Sequence, residues 1–461
     1  MKQISILILT CICMLGCRQQ SQHQHATDLS HYDLPQMKDS GTLVALTLYS
    51  SISYFDYRGE PMGFQYELAK QFAESIGMKL KIKTARNIHE LVSMLLHGEG
   101  DLIAYPLPIT KEFKDSVTFC GEDIITHQVL VQRNETKKQP ALTDVTELIN
   151  KDIYTKPGKH FNRLSNLNNE LGGGIRIQKV SNDSISQEDL IMQVSNGTID
   201  YAISDNDLAR LNKTYYPNLN INLSVSFDQR ASWAVRKTAP LLAEAANQWH
   251  KHNATSPAYK ASTKKYFELS KRLPSGPILS IKDGKISHFD HLFKKYAKTI
   301  GWDWRTIASL AYNESNFDTT AVSWVGAKGL MQLMPRTARA MGIPEGKEHN
   351  AEESIKAATK YLAELSRHFK KITDPDEQTK FVLGSYNAGI GHILDAMALA
   401  EKYGKNKYIW ENNVEVYILL KSNEEYFNDP VCRNGYFRGR ETYNFVRDII
   451  GRAEMYKQKI K

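Results

Sequence analysis

The sequence predicts two folded domains of different class, an α/β domain followed by a mainly α domain. Three observations carry that reading. From 42 to about 202, short apolar runs alternate with amphipathic helical segments, as in a mostly parallel sheet covered by helices. After about 287, apolar residues recur almost wholly at helical spacing. Between the two, Leu273-Pro274-Ser275-Gly276-Pro277 and Asp283-Gly284 hold residues that end helices and form turns. A chain of 461 residues has room for two or three domains with real cores.

The chain opens with Lys2, an apolar run over 4–15, then Gly16 and Cys17. This reads as a secretion signal, because a membrane-spanning helix needs roughly 20 apolar residues. Met14-Leu15-Gly16-Cys17 resembles a bacterial lipobox, which implies a signal peptide over 1–17 and a lipid anchor on Cys17. Arg18-Gln19-Gln20, with no Asp after the cysteine, implies by the same resemblance the periplasmic face of the outer membrane. Residues 18–37 are polar and read as a flexible tether. Beyond Cys17 only Cys120 and Cys432 remain, one in each domain, so a disulfide framework is not expected. A net charge of +8 suits an anionic partner such as cell wall or a membrane surface. No Lys/Arg block is dense enough to argue for nucleic acid.

The first domain is expected over 38–270, with a linker over 271–285. Thr42-Leu43-Val44-Ala45-Leu46 is an apolar run fit for a buried strand. Leu68, Ala69, Phe72 and Ile76 share one helical face, stopped by Gly77. A strand over 80–82, a helix over 89–96 and the run Asp101-Leu102-Ile103-Ala104 follow. A second alternating lobe spans 152–202, and Gly197-Thr198-Ile199-Asp200-Tyr201 repeats the theme of 98–104. Trp233-Ala234-Val235 and a helix from Pro240 close the domain.

Gly59-Glu60-Pro61-Met62-Gly63-Phe64, Gly100-Asp101-Leu102-Ile103-Ala104 and the stretch 197–205 resemble the family 3 periplasmic solute-binding proteins. The resemblance implies a two-lobed clamp for a small ligand, here a muropeptide or amino-acid-like molecule, acting as a regulatory or targeting domain. It places Asp205 where the family's ligand-amine acceptor lies. After the hinge threonine, Thr110, the position of the family's carboxylate-binding Arg is held by Phe113. A phenyl ring cannot make the bidentate fork of a guanidinium.

The second domain is expected over 286–461. Ser287 is the expected cap of a helix ending at Gly301, and a second helix runs over about 303–313 with Ile307, Leu310 and Ala311 inward. Glu314 follows Ile307 by seven residues, Leu310 by four and Ala311 by three, so it projects from the apolar face. Desolvation and the negative end of the helix dipole both disfavour its ionised form. A proton donor results. Gly326, Ala327 and Gly329 leave room for a sugar ring beside the backbone, and Gln332 offers a donor and an acceptor. Pro335 closes that turn and starts a new segment. Asn350 and Glu353 form a capping box for a helix through Phe369. Ser385-Tyr386-Asn387-Ala388-Gly389 ends a further helix, and a buried Tyr386 needs a hydroxyl partner, for which Glu314 is the candidate.

Glu314-Ser315, the run 326–335 and the run 385–389, in this order, resemble the lytic transglycosylase domains of the soluble transglycosylase and goose-type lysozyme superfamily. That implies a lysozyme-like domain acting on peptidoglycan glycan strands. Glu314 becomes the catalytic acid and base, Ser315 and Gln332 position the N-acetylmuramoyl group, and Tyr386 orients Glu314. Gly329, Met331 and Asn387 fall in the same substrate-binding motifs. A fourth motif, usually Glu-Thr-x-x-Tyr, reads Glu441-Thr442-Tyr443-Asn444-Phe445. Phe445 takes the tyrosine's place, and either Tyr443 supplies the hydroxyl or the contact is dispensable.

The implied reaction uses one carboxylate and yields 1,6-anhydro ends without water. Most glycosidases use two carboxylates about 5 to 10 Å apart. No second acid is evident beside Glu314, with Asp318 the nearest rival. A hydrolytic muramidase and a catalytically inactive solute-binding sensor are the two alternatives. No cofactor or metal motif stands out, since the histidines are scattered and 171–174 lacks a strand-to-helix setting.

Overall fold

The computed structural model of the chain describes residues 29–135, 140–269 and 284–460. Cys17 and the break at 273–277 lie outside them. Structure begins earlier than the sequence suggests. The helix Leu34–Ser40 is capped by Asp33, whose carboxylate also accepts the amides of Leu241 and Leu242. The expected boundary at 37/38 therefore falls inside a docked helix.

Twelve strands follow in chain order: β1 (Thr42–Leu48), β2 (Phe55–Tyr57), β3 (Glu60–Met62), β4 (Lys79–Ala85), β5 (Leu102–Pro108), β6 (Val117–Thr126), β7 (Gln128–Arg133), β8 (Asp152–Thr155), β9 (Arg176–Lys179), β10 (Tyr201–Asp205), β11 (Leu219–Asn220) and β12 (Gln229–Arg236). They form two five-stranded sheets, ordered β4-β1-β5-β12-β6 and β11-β7-β10-β8-β9, and the small β2-β3 hairpin. The chain leaves the first sheet after β6 and returns with β12, so two crossings join two lobes. Lobe 1 is parallel at β4-β1-β5 and antiparallel at β12. The predicted strands at 42–46, 80–82, 101–104 and 233–235 all lie within it. So do the helices Phe64–Ser75, Ile88–Leu96 and Pro240–Asn253.

From Asp290 onward the described structure is helical. The first helix of this part runs Asp290–Ile300 rather than starting at Ser287. Ser287 instead caps the turn before it, accepting the amide of Phe289 and bonding Asp290. Trp304–Ser315 is capped by Asp303, and Ile307, Ala308, Leu310, Ala311 and Glu314 are buried on it. Pro335 occupies the first turn of Pro335–Met341, the position where its missing N–H costs nothing. Asn350 caps Ala351–Ser366, and Gly389 ends Pro375–Ala388.

Candidate active site

Glu314 lies in the last turn of Trp304–Ser315, and the helix stops because Asn316 and Phe317 both adopt positive φ, 51° and 63°. Gln332 (47°) and Arg58 (54°) share that region of backbone space. Among the described residues, four of the six non-glycine residues at positive φ therefore either end the Glu314 helix or belong to the cleft beside its carboxylate. Such strain persists only where the surroundings hold it in place.

Glu314 is 5% exposed and forms part of the wall of a cleft of about 410 Å³. Gln332, Asn387, Trp324 and Phe445 line the same cleft. Burial pushes the Glu314 carboxyl above the ordinary glutamate range, the charge and hydrogen bonds of Arg58 pull it down, and Glu441 adds to the rise. The net direction is upward, as the inward phase of the helix predicts.

Arg58 comes from the other domain. It sits in the two-residue turn Arg58-Gly59 between β2 and β3, with positive φ at both positions, the type I′ geometry favoured in tight hairpins. Its Nη2 donates to Glu314 Oε1 at 3.0 Å and to Oε2 at 3.2 Å, while Nη1 donates to the Gln332 carbonyl at 2.8 Å. The guanidinium lies 5.6 Å from the Tyr57 ring centre and 5.9 Å from that of Tyr386. A Cβ on Gly389 would lie 3.4 Å from Arg58 Cα. The glycine that ends the Tyr386 helix is thus where the hairpin tip packs.

Several residues assigned from the sequence do other work. The Tyr386 hydroxyl, expected on Glu314, donates to the Met331 carbonyl at 2.7 Å. Ser315 Oγ donates to the Leu330 carbonyl at 2.8 Å and does not line the cleft. Met331 is wholly buried in the core. At Gly329 an added Cβ would meet the Glu348 carbonyl oxygen at 2.2 Å, so backbone packing, not sugar access, demands this glycine. Gln332 Nε2 is spent on the Gly329 and Ala321 carbonyls, and its buried Oε1 has no partner among the described residues. Asn387 Oδ1 accepts from Thr442. Phe445, not Tyr443, lines the cleft; Tyr443 lies between Arg440 and Arg447. Asp318 is turned to Thr320, whereas Glu441 and Asp448 are acids in the cleft that the linear spacing concealed.

In the first domain Phe113 is a core residue of lobe 1, and Thr110 caps the short helix beginning at Lys111. Asp205 is already paired, with Lys159 Nζ at 2.7 Å and His160 Nε2 at 3.2 Å. Burial pushes its carboxyl up, but these two neighbours together hold it down at about 2. Among the described residues no three His, Cys, Asp or Glu side chains are grouped to hold a metal. No helix among them is long and apolar enough to cross a membrane.

Residues 43–269 match the bacterial extracellular solute-binding proteins, family 3, and residues 291–409 match the transglycosylase SLT domain. The chain is 31% identical over 434 residues to the membrane-bound lytic murein transglycosylase F of Desulfosudis oleivorans, covering 93% of each chain. It is 29% identical over 423 residues to the protein of that name from Pseudomonas fluorescens, covering 90% of this chain and 85% of the relative. Among solved structures, an ancestral cationic amino acid solute-binding protein is 21% identical with a TM-score of 0.44, covering 51% of this chain and 99% of the other.

Proposed function

The chain belongs to the family of membrane-bound lytic murein transglycosylases F, and from that premise we propose that Glu314 is its acid and base for murein cleavage. Glu314 protonates the glycosidic oxygen between N-acetylmuramic acid and N-acetylglucosamine, and the bond to the muramoyl anomeric carbon breaks. The ionised Glu314 then takes the proton of the muramoyl 6-hydroxyl as that oxygen attacks the same carbon. A 1,6-anhydro end forms, and the enzyme returns to its protonated state. Gln332 Oε1 is the free acceptor for an N-acetyl N–H.

The observation that carries the reading is a buried glutamic acid at a helix end in a cleft, with its carboxyl pushed upward by burial. A carboxyl shifted in that direction keeps its proton to higher pH than an ordinary glutamate, which is the direction a general acid needs. The hydrolytic alternative would need Glu441 or Asp448 as its second carboxylate. Mass spectrometry of digested murein decides between them, since anhydro ends are lighter than reducing ends by one water.

The solute-binding domain acts as a regulator on this reading. Arg58 occupies both carboxylate oxygens of Glu314, so the docked form has no free acid to offer a glycosidic oxygen. Anchoring is proposed through a lipid on Cys17, at the periplasmic face of the outer membrane. Labelling with a radioactive fatty acid, lost in Cys17→Ala, tests that part.

A further inference from the structure

Glu188 is a buried acid of lobe 2 in the first turn of Gln187–Asn196, and its three partners come from two other parts of the chain. Ser51 of lobe 1 donates to Oε1 at 2.6 Å. From the catalytic domain, the Tyr436 hydroxyl donates to Oε2 at 3.1 Å and Arg438 Nε lies 2.9 Å from the same oxygen. The Arg438 guanidinium sits 4.2 Å from the centre of the Tyr215 ring, and its Nη2 donates to Asn212 Oδ1 at 3.3 Å. Beside it Asp189 takes Arg440 Nε at 3.0 Å.

A carboxylate, an aromatic face and an amide oxygen converging from one lobe, closed by a hydroxyl from the other, are what a solute site needs to recognise a guanidinium. The acid expected to hold a ligand's amine, Asp205, is meanwhile neutralised from within its own lobe. The seat is filled but not saturated, because Arg438 Nη1 is buried without a hydrogen-bond partner among the described residues.

We propose that Arg438 is an intramolecular ligand of the solute-binding domain, seated by Glu188, Tyr215 and Asn212 where the two lobes meet. The inference rests on the reading of Glu314 as the acid and Arg58 as its restraint. One docking event fills both positions, Arg438 in its seat and Arg58 on Glu314. A free solute bearing a guanidinium competes for the seat, and by linkage it raises the fraction of chains in which Glu314 is open.

The test is murein solubilisation by the full chain, with L-arginine as the probe against an equal concentration of NaCl. Glu188→Gln keeps the side-chain volume and removes the charge, and its rate is expected to rise by about 5- to 150-fold. L-arginine is expected to raise the wild-type rate saturably and to leave the Glu188→Gln rate unchanged. A folded Glu188→Gln chain with the wild-type rate overturns the proposal, as does a flat wild-type response or an equal response in both chains. If Glu188→Gln does not fold, the wild-type titration decides alone. Glu314→Gln, run alongside, separates the two readings. Activity surviving there sinks the acid assignment, whereas an inactive Glu314→Gln beside a folded Glu188→Gln that keeps the wild-type rate sinks only the seat.

Discussion

Two buried carboxylates of the helical domain, Asp395 and Glu314, each meet a cation, and they differ in how completely the carboxylate is satisfied. Asp395 meets Lys421 and also accepts the amides of Arg433 and Asn434, at 3.0 and 2.9 Å, and Asn434 Nδ2 at 3.0 Å. All of these donors belong to its own domain. Lys421 is fully buried, and burial lowers its pKa despite the partner. Glu314 has Arg58 on both oxygens, donated by the other domain from the tip of a hairpin. The first pair is knitted into one fold by four donors, so losing any part of it is a folding problem. The second rests on one side chain from another domain, so on the proposed regulatory reading losing it is a change of state.

The largest expected effect breaks the chemistry itself. General acid and base help are each worth roughly 100- to 10,000-fold, so Glu314→Gln should lower murein solubilisation by at least about 100-fold. Its circular dichroism should match wild type. At the other pair the loss should appear as stability instead. Asp395→Asn leaves Lys421 buried without its charge partner, which costs about 3 to 5 kcal/mol. Thermal unfolding should register this as a clear fall in Tm. An Asp395→Asn chain with wild-type Tm would break the distinction between the two pairs.

A smaller effect of opposite sign is expected at the removable partner. Arg58→Ala should raise the rate by about 5- to 150-fold, the usual range of coupling between two sites. The gain also has a pH signature. Arg58 lowers the Glu314 pKa relative to the same buried carboxyl without it, because the guanidinium favours the ionised form, yet burial keeps the net value above that of ordinary glutamate. The hold of Arg58 on Glu314 is therefore strongest above the pKa of the unpaired carboxyl and weakens as pH falls through that of the paired one. The ratio of Arg58→Ala to wild-type rates should be largest at the alkaline end and approach one in acid. A ratio independent of pH would mean that Arg58 does not act through the Glu314 charge.

The burial of Glu314 was legible in the sequence because the signal is local. Phase along one helix sets burial, and burial sets the direction of the pKa shift. The same holds for Pro335, Asn350 and Gly389, which mark helix ends by their own backbone chemistry. What was not legible depends on which of several acceptors a side chain reaches. Tyr386 could have met Glu314 or a carbonyl, and only the fold puts Met331 O within reach. Arg58 lies 256 residues from Glu314, and its local signal, Arg-Gly between two short strands, marks a turn and nothing about its partner. Glu441 and Asp448 entered the cleft by helix packing that no spacing from Glu314 encodes.

The smallest effect concerns the fourth motif, where Tyr443 and Phe445 compete for one role. Phe445 is 7% exposed and faces the cleft, while the Tyr443 ring is flanked by Arg440 and Arg447 at 5.7 and 5.8 Å. Tyr443, its ring held by two arginines, is not among the residues lining the cleft and does not stand in for a hydroxyl on its wall. Tyr443→Phe should therefore leave the murein rate unchanged. Phe445→Tyr restores a hydroxyl among polar neighbours, and a net hydrogen bond is worth about 0.5 to 1.5 kcal/mol. Its rate should rise by no more than about tenfold, as a change in kcat with thermal stability preserved. If Tyr443→Phe instead proves the damaging change, the helix Gly439–Lys459 must turn toward the cleft when Arg58 withdraws. The docked arrangement would then differ from the working one in the catalytic domain as well as between the domains.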